Sequence, residues 1–464
     1  MSDVVQVVNP ATEEVIGEYA YLELESIERI LEHSVEAYAH WRRLPLASRL
    51  DCVQVFANAL QAARVTLAEQ ITREMGKTTR EALAEVDKCI ASCHTLYQRF
   101  PEWKSAREES LPSGFSVHQE SLGVILGVMP WNFPLWQVVR FAIPALLCGN
   151  TVLLKHAPNT WGVAEFIEEL FWQALPHAVY QNLKIGVPQV GALIADRRVR
   201  GVSLTGSRQA GISVAELAGR HLKKVVLELG GSDAYVLLDD ADLEKAAEVC
   251  ARARLMNAGQ SCVAAKRFIV TKRNYDEFAQ RFQQKLAQAR FGDPSRGNTD
   301  FGPLARRDLR EILHDQVARS RSAGAKLLLG GTQTEGTGFF YPASLLAEVR
   351  PGQPAFDEEL FGPVAALIRA EDEQDALRLA NLSRYGLGGA IFSRDEERAR
   401  ALAVTELDAG MAFVNDFVRS DAQVPFGGVK DSGLGRELGR EGCFEFTNIK
   451  TVYVPPTSNT SKSS

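Results

Sequence analysis

The feature that most constrains this chain of 464 residues is a repeated change of period. Short runs rich in branched apolar residues, TVLLK, LKIG, GVSLTG and KVVLEL, alternate with helical segments over 162–174 and 208–221. Such alternation joins strands by helical crossovers and predicts a parallel, doubly wound sheet covered on both faces. A second series follows Gly230, with AYVLL, KRFIV, KLLLG and AALI interleaved with helices over 243–256, 275–289 and 372–382. Two α/β domains are therefore predicted.

The flanking segments read differently. Residues 25–99 are helical, with a segment over 47–75 that Gly76 stops. Thr78 stands three residues before Glu81, a capping box that opens a helix running to Pro101. SVHQESLGVILGVM predicts strands, the first an arm outside the core, and TVYV an edge strand open to subunit contact. The final PPTSNTSKSS predicts a mobile tail. A net charge of −6 without a basic block leaves no footprint for nucleic acid or an anionic membrane. The apolar stretch 141–154 is broken by Pro144 and Gly149-Asn150 and is too short to span a bilayer. The start, MSDVVQVVNP, lacks secretory character, so a cytoplasmic location is expected. Seven scattered cysteines fit reduced thiols, and the grouping of Cys89, Cys93 and His94 lacks further ligands, so no metal is predicted.

Five features could carry chemistry. Cys262, in NAGQSCVAAKRF, has small neighbours that leave room for a substrate, but an inert buried thiol fits equally simple reasoning. Glu228 is a carboxylate inside an apolar strand: a general base with a raised pKa, or a salt-bridged core residue. It also follows Gly206 by 22 residues, near the spacing of a ribose-binding acid, and spacing cannot separate base from ribose ligand. Gly206 and Ser207 join a strand to a helix, as a pyrophosphate site or as ordinary turn chemistry. Arg140 is the only charged side chain between Trp131 and Leu154, so it requires an anion, either an internal carboxylate or a ligand's. Asn132, flanked by prolines in PWNFP, offers an amide N–H to a developing oxyanion, or simply makes a turn.

Taken together, PWNFP, VLLK, LTGS, LELGG, GQSC, EELFGPV and PFGGVKDSGLGRE, in this order, resemble the aldehyde dehydrogenase superfamily across almost the whole chain. Within it, KHAPN after the VLL strand is most similar to bacterial succinate semialdehyde dehydrogenases. The resemblance implies a cofactor-binding domain (1–105 and 122–230), a catalytic domain (231–437), a β oligomerisation arm (106–121 and 438–456), a tail (457–464), and a homodimer or homotetramer. It implies Cys262 as nucleophile, Glu228 as the base activating water, and Asn132 with the Cys262 N–H as oxyanion hole.

For NAD or NADP it implies Trp131 and Asn132 near the nicotinamide end, Lys155 and Pro158 at the adenosine ribose, and Gly206 and Ser207 near the pyrophosphate. Gly186, Leu229, Glu359 and Phe361 complete that set. Pro158 stands where NAD-preferring members often carry a glutamate, so NADP is expected to be tolerated, with His156 and Arg208 as further helpers. Arg140 falls at a substrate-carboxylate position, with Trp136 and Ser420 also at the substrate; Met256 and Asp421 replace an arginine and a serine found in some relatives. Succinate semialdehyde is thus the expected substrate. Glutarate semialdehyde, a broad aldehyde range and a non-catalytic role are the alternatives.

Overall fold

The alternation of period is realised as two separate sheets in a computed structural model that describes residues 4–455. The first is six-stranded, in the order Gly433–Leu434, Lys224–Glu228, Val199–Thr205, Val124–Met129, Thr151–His156 and Tyr180–Asn182. Its four pairings among the strands from 124 to 228 are parallel, and only Gly433–Leu434 adds antiparallel. The progression reverses between Val124–Met129 and Val199–Thr205, so the crevice for a ligand opens beyond the carboxyl ends of those two strands. The strand expected at LKIG forms three residues earlier, at Tyr180–Asn182. The chain must leave the sheet to start the helix Val187–Ala195, which has Pro188 in its first turn, and pairing therefore ends at Asn182.

The second sheet has seven strands, ordered Lys326–Leu329, Ser344–Ala347, Val364–Ala370, Ala265–Thr271, Asp233–Leu237, Gly388–Phe392 and Met411–Val414. All neighbours are parallel except the first pair. KLLLG is thus an antiparallel edge strand, because Gly330 and Gly331 take left-handed φ of 63° and 76° and turn the chain back. A third sheet pairs Thr447–Tyr453 with Phe115–Ser121 over seven positions and adds Glu109–Ser110. Thr447–Tyr453 is a free edge, with Ile449 65% exposed. The tail at 457–464 lies outside the described residues.

Among the helices, the Thr78 capping box is present and opens Thr79–Ser105. That helix passes through Pro101 rather than stopping there, since a proline's fixed φ is helical and the loss is mainly one backbone hydrogen bond. The 47–75 segment is two helices, Leu46–Ala62 and Arg64–Met75, the second ended by Gly76 at φ 86°. Every residue of Trp136–Leu147 is buried, Arg140 included. No described helix is long and apolar enough to cross a membrane.

Candidate active site

The loop that delivers Cys262 leaves the helix Leu243–Leu255 through three consecutive left-handed residues, Asn257, Ala258 and Gly259 (φ 54°, 53° and 73°). For two non-glycine residues this costs about 1–3 kcal/mol each, so the surroundings must hold it. They do so with charged and amide donors. Lys266, fully buried, donates to the carbonyls of Ser261 (3.0 Å), Cys262 (2.9 Å) and Ala264 (3.2 Å). Arg254 Nη2 donates to Gly259 O (2.7 Å), and Asn257 Nδ2 donates to Asn132 O (2.8 Å). Asn132 Nδ2 in turn donates to Gln260 O (3.1 Å), which places its carboxamide against the loop that carries Cys262.

Cys262 is half-buried, and burial pushes its thiol up to about 12; the nearby charges of Arg140 and Lys266 pull only partly the other way. The resting group is therefore a thiol, not a thiolate. Iodoacetamide should alkylate Cys262 in the cofactor-free protein about tenfold faster for each pH unit between roughly pH 7 and 9, as the small thiolate fraction grows. A rate flat across that range would mean a thiolate already formed.

Glu228 is 2% exposed, and neither carboxylate oxygen has a hydrogen-bond partner among the described residues. Burial, and then the negative Glu437, push its carboxyl well above the ordinary range, while Arg140 opposes them. Glu437 is buried beside it. It accepts a hydrogen bond from Ser203 Oγ (3.2 Å) and is ion-paired with Arg140 Nε. Arg140 Nη2 donates to Thr205 Oγ1 (3.1 Å), and the guanidinium lies 4.6 Å from the Phe426 ring centroid. The internal counter-ion weighed for Arg140 is thus present. The same side chain also lines the main cavity.

That cavity, of about 900 Å³, is lined by Cys262, Trp136, Gln137, Arg140, Phe426 and Ser420 among others, with Met256 and Arg419 on its wall. Asn132 and Glu228 are buried rather than lining it. Glu228 is still near enough for its charge to act on the Cys262 thiol.

The expected cofactor residues gather beyond the carboxyl ends of the first sheet. Trp131 follows Met129, Lys155 and Pro158 lie at the end of Thr151–His156, and Gly186 precedes the helix Val187–Ala195. Ser207 caps Arg208–Arg220 by accepting from Ala210 N–H (3.3 Å). A Cβ built on Gly206 would meet nothing closer than 3.8 Å, so the helix start is open to an approaching phosphate. Gly206 N–H donates to Glu228 O, and Leu229 N–H to Ser432 O. Phe361 meets Trp131 edge-on at 5.8 Å, and Glu359 Oε1 accepts from Gly231 N–H (3.1 Å), with Lys266 Nζ 3.4 Å away.

These groups fit a dinucleotide: an uncrowded helix start at Gly206 and Ser207 for its phosphates, the half-buried Glu359 carboxylate for hydroxyls, and Lys155, which has no carboxylate within 4.0 Å among the described residues. Two expected helpers do not fit. His156 is fully buried, its ring held by Pro134 O, Thr160 Oγ1 and Ala157 N, and burial lowers it to about 4, so it is a neutral structural group. Arg208 is committed to Asp431 at 2.7 Å.

The sequence pattern described as "Aldehyde dehydrogenase family" matches residues 1–452. The chain belongs to the aldehyde dehydrogenase family. It is 43% identical over 448 residues to "Succinate semialdehyde dehydrogenase [NAD(P)+] Sad" of Escherichia coli (strain K12), covering 96% of this chain and 97% of that protein. It is 44% identical over 452 residues to "Succinate-semialdehyde dehydrogenase [NADP(+)]" of Deinococcus radiodurans, covering 97% and 94%. A solved structure of succinic semialdehyde dehydrogenase from Streptococcus pyogenes, in complex with NADP+, superimposes with a TM-score of 0.95 at 37% identity, covering 97% of this chain and all of that one. This aldehyde dehydrogenase is accordingly an oxidoreductase of the α/β architecture expected.

Several residues that shape the site escaped the sequence reading. Glu85 Oε1 accepts both Leu135 N–H and Trp136 N–H (2.9 Å each), anchoring the start of the buried helix that carries Arg140. Its other oxygen pairs with Lys77 Nζ at 2.5 Å. Lys266 was legible as a cation at the head of the apolar run KRFIV, the same kind of signal that exposed Arg140. Glu437 gave none, being one of two glutamates in the polar, glycine-rich GLGRELGREG.

Proposed function

We propose that this enzyme oxidises succinate semialdehyde to succinate with NADP or NAD as acceptor, using Cys262 as nucleophile and Glu228 as base. The observation that carries the reading is one cavity that joins Cys262 to Arg140 and Ser420, in a chain whose named relatives act on this substrate. The Cys262 sulfur, once deprotonated, adds to the aldehyde carbon and leaves a negative oxygen that the Asn132 carboxamide and the Cys262 backbone N–H stabilise. A bound nicotinamide dinucleotide supplies the acceptor for the hydride whose loss turns that adduct into a thioester. Glu228, when ionised, takes a proton from water, which attacks the thioester carbon; the carboxylate product departs and the thiolate is regenerated. Trp131, Lys155, Pro158, Gly186, Gly206, Ser207, Leu229, Glu359 and Phe361 would hold the dinucleotide. The exposed edge Thr447–Tyr453 supports pairing of copies into a homo-oligomer, and the reading includes a cytoplasmic location.

A broader aldehyde range is the second reading, favoured by the Arg140–Glu437 pair, which occupies part of the guanidinium. Rates of reduced-nicotinamide formation with succinate semialdehyde, glutarate semialdehyde and butyraldehyde, each with NAD and NADP, separate the two. Succinate semialdehyde should exceed butyraldehyde in kcat/KM by about 100-fold, the effect of one or two charge-assisted contacts. Arg140→Ala should cost the carboxylated aldehydes at least about tenfold more than butyraldehyde. Parity in the wild type supports the broad reading, and equal losses in the variant leave Arg140 only its pairing with Glu437.

A further inference from the structure

The substrate cavity holds a further sheltered cation that neither the family motifs nor the mechanism uses. Lys88 projects from the helix Thr79–Ser105 into the cavity that contains Cys262. Its Nζ donates to Ser420 Oγ at 2.6 Å and sits 4.3 Å from the centroid of the Trp136 ring. Among the described residues no carboxylate oxygen lies within 4.0 Å of it. The acids that act on it from a distance are Glu85, committed to Lys77 and two backbone N–H groups, and Asp421, exposed on the loop beyond Ser420.

The other cations of the cavity are satisfied or solvated. Arg140 is paired with Glu437, Arg419 with Asp416 (2.6 Å) and Lys285 with Glu244 (2.7 Å), while Arg80 and Arg252 are exposed. Among the described residues, Lys88 is the sheltered cation that meets a hydroxyl and an aromatic face in place of a carboxylate. An ammonium held half-buried in this way costs desolvation that an arriving anion offsets.

We propose that Lys88, with Ser420, is a specificity residue that receives the carboxylate of an ω-carboxylated aldehyde while its other end reaches Cys262. The inference rests on the proposed preference for such aldehydes and names the charge that reads it. Arg140, drawn towards Glu437, then shares the carboxylate instead of carrying it alone. Ser420 both orients Nζ through its oxygen and keeps a hydroxyl proton to donate to the incoming anion.

The environment adds a pH signature. Burial pulls the Lys88 ammonium down to about 8, with Arg140 acting in the same direction and Cys89, Glu85 and Asp421 opposing. The side chain is charged below that value and loses charge above it, so affinity for a carboxylated aldehyde weakens as pH rises through it. Substrate binding favours the charged form and moves the transition upward.

The test compares wild type, Lys88→Met and Lys88→Arg with succinate semialdehyde and with butyraldehyde across pH. In Lys88→Met the KM for succinate semialdehyde should rise about 10- to 100-fold, with kcat changing far less and butyraldehyde losing at most a tenth as much. Lys88→Arg should recover most of the preference. The alkaline rise in KM should appear in wild type for the carboxylated aldehyde only and vanish in Lys88→Met. If both aldehydes lose equally in Lys88→Met, or if the preference survives there, Lys88 is structural and the inference is overturned while the proposed substrate stands. If the wild type shows no preference for the carboxylated aldehyde, the functional reading fails and the inference falls with it.

Discussion

Cys262→Ala is expected to lose turnover by about 10⁴-fold or more while still binding the dinucleotide, because the covalent route disappears and no other group replaces it. An aldehyde carbon releases hydride readily only after it has become a negatively charged tetrahedral adduct, and in the proposed reaction the Cys262 sulfur makes that adduct. The six other cysteines offer no substitute. Cys89, Cys93, Cys250 and Cys443 are buried, Cys52 and Cys148 are half-buried, and burial raises every one of their thiols. None of them lines the cavity. Removing one half-buried sulfur should cost below about 1 kcal/mol in stability, so the loss would not reflect unfolding. Reduced-nicotinamide formation, together with quenching of tryptophan fluorescence by the dinucleotide, separates chemistry from binding. Turnover at more than a few per cent of wild type would show that another atom attacks the aldehyde.

How far such a site is readable from sequence depends on the range over which its parts interact. The central strands were legible because a strand buried on both faces must be an unbroken run of branched apolar residues, as in TVLLK and KVVLEL. Tyr180–Asn182 was not, being three residues long and largely polar, and the direction of Lys326–Leu329 was not, because apolar character does not encode antiparallel pairing. Glu228 and Arg140 stood out as charges in apolar surroundings, Cys262 by its small neighbours and Asn132 by its proline-flanked turn, yet their roles came from the resemblance and not from spacing. What remained hidden was pairing. Nothing local to Arg140 names Glu437 as its counter-ion, nor does anything near Glu85 announce that it holds the backbone of Leu135 and Trp136. Lys88 follows Asp87 directly and so reads as part of a solvated helix face. Only its position three residues after the buried Glu85 places it beside the interior stripe of that helix.

Glu228→Gln tests the other half of the reaction. The substitution keeps shape and removes the ionisable group, so thioester formation should proceed once per site and its hydrolysis should slow by about 10²- to 10⁴-fold, the usual contribution of a general base. The time course would show a burst of reduced nicotinamide equal to the enzyme concentration, followed by a slow steady state. The buried pair with Glu437 adds a pH dependence of definite sign. Burial and like charge raise the Glu228 carboxyl well above the ordinary range, so the group holds its proton in mildly acidic solution and gains base character as pH rises. Wild-type deacylation should therefore climb with pH, and that limb should be absent from the glutamine variant. Arg140 opposes the raising of both carboxyls, and Arg436 opposes that of Glu228 as well. A burst without the steady-state loss would place the base elsewhere. A weakened affinity for the dinucleotide without any burst would instead revive the ribose-binding role that the spacing from Gly206 allowed. In this fold the two roles make different demands on one carboxylate: a ribose ligand must stay ionised and open to the crevice, whereas Glu228 is 2% exposed, raised in pKa and electrostatically coupled to the nucleophile. Those demands favour the base, and the shape of the burst decides between them.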